Sequence, residues 1–132
     1  MAAKNLRTQN DFLKKEIAIL EEIVAKCQEY LEALLALADA YAELGDYRAS
    51  LAIDQRIVAL FPREPIGYYN LACDYSALNL LEEAYEAIFS AVSVGFRDIA
   101  SMKKEPDLRN LRKDERYEKF YTQLCALTAD TE

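Results

Sequence analysis

The sequence has no histidine, only three glycines and three prolines, and three cysteines. Without histidine the usual general base at neutral pH is missing. No glycine-rich phosphate loop, serine elbow or metal-ligating box stands in its place. Adjacent carboxylates such as Glu21-Glu22 and Glu82-Glu83 leave a helix in diverging directions and read as surface charge. No enzymatic activity and no cofactor are expected. Cys27, Cys73 and Cys125 are widely spaced, with no CxxC pair, so reduced thiols packed as small apolar groups are expected and a zinc site is not. The apolar runs are a few residues long, far short of the roughly 20 needed to cross a bilayer. The opening MAAKNLRTQNDFLKK has no hydrophobic leader core, so a cytoplasmic address is expected. Scarce glycine and proline leave few places to turn, which predicts long helices.

What is present agrees with that expectation. The 132 residues are 52% hydrophobic and 30% charged, enough for one soluble domain with a real core. Alanine, leucine and glutamate dominate, and all three are good helix formers. The net charge of −7 is uneven: residues 16–96 carry −10, whereas residues 1–15 carry +3 and residues 97–120 carry +2. An acidic body is a poor match for phosphate, so neither nucleic acid nor insertion at an anionic membrane is expected.

The stretch from Leu31 to about Arg63 repeats 34 residues further on. Leu37, Ala38, Tyr41 and Leu44 recur as Leu71, Ala72, Tyr75 and Leu78, and Val58 recurs as Val92. A period of that length marks stacked helix pairs. The first pair places Leu34, Leu37, Ala38, Tyr41 and Leu44 on one face of a helix over 31–44. Gly45 suits its C-cap, Asp46 the N-cap of the next helix, and Pro62 the end of the pair. In the second pair Pro65 opens a helix, Asn79 replaces Gly45, and Gly95 closes a helix over 81–94.

Upstream, Leu13, Ile17, Leu20, Val24, Cys27 and Leu31 form a helical stripe starting near Asp11, which Ile19 and Ile23 widen into a broad face, with Asn10 or Asp11 as N-cap. It reads as a truncated repeat, 11–28, behind a polar tail, 1–10, and either packs inside the domain or forms a homodimer through 13–27. Residues 31–64 and 65–98 are the two repeats, and 99–128 is a degenerate closing repeat. Its elements are a short helix over 97–104, a break at Pro106, Leu108 and Leu111 as plugs, and a last helix over 114–127. Together 11–128 form a single all-α domain of about six helices.

The pattern Leu34-x2-Leu37-Ala38-x2-Tyr41-x3-Gly45-Asp46-Tyr47 with Leu51, Ile57-Val58 and Pro62 resembles the tetratricopeptide repeat. The second copy, Tyr68-x2-Leu71-Ala72-x2-Tyr75 with Ala84, Ala91 and Gly95, resembles it too. Leu34 departs from the opening aromatic, Ser50 from a small alanine, and Leu80-Leu81 from the second Asp-Tyr. The resemblance implies a superhelical stack of antiparallel helix pairs, an α-solenoid. Its first helices would line a concave groove for a partner's peptide.

The groove positions so implied are Leu35, Asp39 and Ala42, then Tyr69, Asn70, Cys73 and Ser76, with Lys104 from the closing repeat. Of a two-carboxylate clamp, as some relatives of this kind hold a chaperone's C-terminus, only Asn70 and Lys104 match, and Asp39 would repel the ligand. An apolar peptide bearing positive charge fits better. The expected function is a non-catalytic protein–protein adaptor or scaffold. The alternative is a small acidic secretion or assembly chaperone that shields a client's amphipathic segment, dimeric through 13–27. The run Arg109, Arg112, Lys113, Arg116 and Lys119 alternates with acids and reads as a solvated helix face.

Overall fold

The structure is a computed structural model that describes residues 2–129, with side chains from residue 6 onward. Met1 of the expected tail lies outside the described residues. Among the described residues there are seven α-helices, two 3-10 segments and no strand. The α-helices are α1 (Ala2–Lys26), α2 (Leu31–Leu44), α3 (Tyr47–Leu60), α4 (Pro65–Ala77), α5 (Leu81–Ser93), α6 (Arg109–Arg112) and α7 (Tyr117–Ala129). The chain divides into two compact units, Met1–Leu60 and Phe61–Glu132, where a single domain was expected over 11–128. The division falls beside Pro62, where the first 34-residue unit closes.

In the first unit α1 packs on α2, and α2 on α3. Helix α1 starts at Ala2, nine residues before the expected Asp11, so Asn10 and Asp11 lie inside it and cap nothing. Residues 2–10 are helical where a polar tail was expected, and residues 6–10 are all exposed. The reason lies in composition: nothing between Ala2 and Lys26 is a glycine or proline. At 1.5 Å per residue α1 is about 37 Å long against about 21 Å for α2, so its first turns overhang. Leu13, Ile17 and Val24 are buried, while Leu20 is half-buried on the same stripe.

The turn between α1 and α2 has neither glycine nor proline. Tyr30 turns it in extended conformation, and its N–H donates to the Cys27 carbonyl at 3.2 Å. The exposed Gln28 carbonyl is taken up by Arg56 of α3, whose Nη2 donates at 2.7 Å. A side chain from the third helix thus secures a turn that the local sequence does not specify.

Between α2 and α3, Gly45 adopts φ +87°, and the Asp46 N–H donates to Tyr41 O at 2.9 Å. Asp46 Oδ1 then accepts from the Ala49 N–H at 3.2 Å, the N-cap bond expected of it. The buried Ser50 hydroxyl donates to the buried Asp54 carboxylate at 3.4 Å, which gives the serine departure from alanine a use.

In the second unit α4 packs on α5. Glu64 accepts from the Ile66 N–H at 3.4 Å and Pro65 takes the first turn. Asn79 adopts φ +62°, and Leu80 N–H donates to Tyr75 O at 2.7 Å, the same bond as in the earlier turn, 34 residues on. The helices repeat likewise, Leu31 to Pro65 and Tyr47 to Leu81.

After Gly95 the period fades. The helix expected over 97–104 is a 3-10 segment, Ile99–Lys103. Ile99 and Met102, three residues apart, are both buried, and a three-residue turn aligns them on one side. Pro106 does not simply break the chain: it opens a second 3-10 segment, Pro106–Leu108, which leads into the four residues of α6. Leu108 and Leu111 are fully buried, as expected of plugs. Helix α7 starts at Tyr117, three residues after the expected Asp114, because Asp114 is engaged in side-chain bonds ahead of it.

Candidate functional site

Leu35, Asp39 and Ala42 lie 4 and 3 residues apart on one face of α2. Asp39 is exposed, and Leu35 and Ala42 are half-buried. Glu32 and Glu43 are also exposed and, by the same 100° step, flank Asp39 on one edge of the face. Helix α2 has no lysine or arginine. The result is a narrow apolar strip with an acidic border.

The equivalent face of α4 is different. Tyr69, Cys73 and Ser76 are the 34-residue counterparts of Leu35, Asp39 and Ala42, but they are 7%, 7% and 0% exposed. Tyr69 stacks on Phe96 with centroids 4.6 Å apart. Ser76 Oγ accepts from the Leu111 N–H at 3.1 Å, and its carbonyl accepts from Asn110 Nδ2 at 3.0 Å. The chain from Phe96 to Leu111 therefore covers this face within the second unit, and these three side chains offer no surface to a ligand in this state. Asn70 is half-buried beside them and Lys104 is exposed. Burial pushes the Tyr69 phenol well above its ordinary pKa, and its hydroxyl has no hydrogen-bond partner of good geometry although Ser101 lies near.

Two arginines of the basic run do work that alternation with acids does not reveal. Arg112 Nη1 donates to the carbonyls of Met102 and Glu105, at 2.7 and 2.6 Å, and ties the two 3-10 segments to α6. Arg116 Nε donates to Asp114 Oδ2 at 2.7 Å, and its Nη1 donates to Glu82 of α5. Tyr85 of α5 donates its hydroxyl to the same Asp114 oxygen at 2.7 Å, and the Arg116 guanidinium lies 5.1 Å from the Tyr85 ring centre. The Tyr85 ring meets Phe120 edge-on at 4.7 Å. This cluster ties α7 to α5. The one sequence signal was the 34-residue spacing of Glu82 and Arg116.

The hydrogen bond from Arg116, then that from Tyr85, holds the Asp114 carboxyl below the usual carboxylate range. A carboxyl with a depressed folded pKa stabilises above its unfolded value and loses that contribution as the pH falls through the folded one. The attachment of α7 should therefore weaken as the pH drops below about 4. Amide exchange along α7, compared between wild type and Asp114→Asn, checks this. The variant should be less protected at neutral pH and should lack part of the acid-induced loss.

Beyond these faces, a cleft of about 420 Å³ between α5 and α7 is lined by Phe89, Phe120, Gln123, Leu124, Ala126 and Leu127. Phe89 and Leu127 are 54% and 56% exposed. No described group of three or more Cys, Asp or Glu side chains is placed to hold a metal ion. No described helix is long and apolar enough to cross a membrane.

No family model matches the chain. It is 27% identical over 86 residues to a chloroplastic protein of Arabidopsis thaliana. The match covers 63% of this chain and 26% of that protein, so the chain is similar to about a quarter of its length.

Proposed function

We propose that the chain is a tetratricopeptide-like interaction module, a superhelical stack of helix pairs that binds a segment of a partner protein and performs no chemistry. The observation that carries this reading is the 34-residue repetition of both helix starts and of the left-handed residue between them, Gly45 and Asn79. The binding face is that of α2, with Leu35 and Ala42 as the apolar strip and Asp39 as its charge. Its acidic border favours a cationic, apolar peptide. In the second unit Asn70 and Lys104 stay available for polar contacts, whereas Tyr69, Cys73 and Ser76 serve packing. A cytoplasmic address is part of the same reading and rests on the sequence alone.

Fluorescence anisotropy with apolar peptides carrying lysine or arginine, against the same peptides carrying glutamate, tests it. Binding should be micromolar for the basic set, weaken with salt, and fall at least about tenfold in Asp39→Lys and in Leu35→Glu. Equal affinity for the acidic set, or indifference to both substitutions, would overturn it.

The second reading, an acidic secretion or assembly chaperone that shields a client's amphipathic segment, is favoured by the apolar cleft between α5 and α7. It predicts that Phe89→Ser abolishes suppression of client aggregation while peptide binding at α2 persists.

A further inference from the structure

We draw no further inference here: the strongest candidate, the apolar cleft between α5 and α7 lined by the exposed Phe89 and Leu127, already carries the second reading above, and nothing in the structure shows what covers it.

Discussion

Leu111→Ala should destabilise the second unit by about 2–5 kcal/mol, because Leu111 is fully buried and its loss leaves a cavity. Helix α6 is four residues long and cannot hold itself together. Its position depends on Leu108 and Leu111, on the Leu111 N–H to Ser76 bond, and on Arg112 bridging to Met102 and Glu105. Weakening this attachment should uncover the α4 face, where Cys73 is 7% exposed. In a protein with Cys27 and Cys125 replaced by serine, thiol labelling of Cys73 should accelerate on the order of a hundredfold, following a local opening of about 3 kcal/mol. Unchanged labelling would mean that segment 96–111 does not govern access to this face. The result bears on function, since the same opening would make Tyr69, Cys73 and Ser76 available to a ligand.

Ala91→Leu should cost about 1–3 kcal/mol for the opposite reason. Ala91 on α5 and Ala72 on α4 are both fully buried, on helices that pack against each other, and added methylenes have no room without moving a backbone. Ala72→Leu should cost a similar amount. Ala52→Leu, at an exposed position of α3, should change stability by less than about 0.5 kcal/mol. Denaturant unfolding followed by amide exchange, resolved by unit, checks all three. Equal effects at Ala52 and Ala91 would show that side-chain size, not helix packing, decides the outcome.

The proposed peptide face was legible only in part. The repeat resemblance implied Leu35, Asp39 and Ala42, of which Asp39 is exposed and the other two are half-buried. Their counterparts Tyr69, Cys73 and Ser76 followed from the 34-residue spacing, yet they are covered. Spacing reports which side of a helix a residue occupies. It does not report what another segment lays over that side. The stripe on α1 is a similar case: the sequence reads as one broad apolar face, but the packing of α2 buries Leu13, Ile17 and Val24 and leaves Ile19 exposed.

The amino-acid sequence by itself determined the features that are local. The bounds of α2, α3, α4 and α5 follow from helix formers and caps, and the turns at Gly45 and Asn79 follow from residues that accept a left-handed backbone. These signals act within a few residues and recur every 34. The tertiary structure alone decided the α1–α2 turn secured by Arg56, the 3-10 path from Ile99 to Leu108, the bonds of Arg112 and Arg116, and the cover over α4. Apart from the Arg116–Asp114 bond, those depend on contacts between groups 7 to 35 residues apart. No repeat unit encodes such a contact, because its energy exists only once both segments are in place.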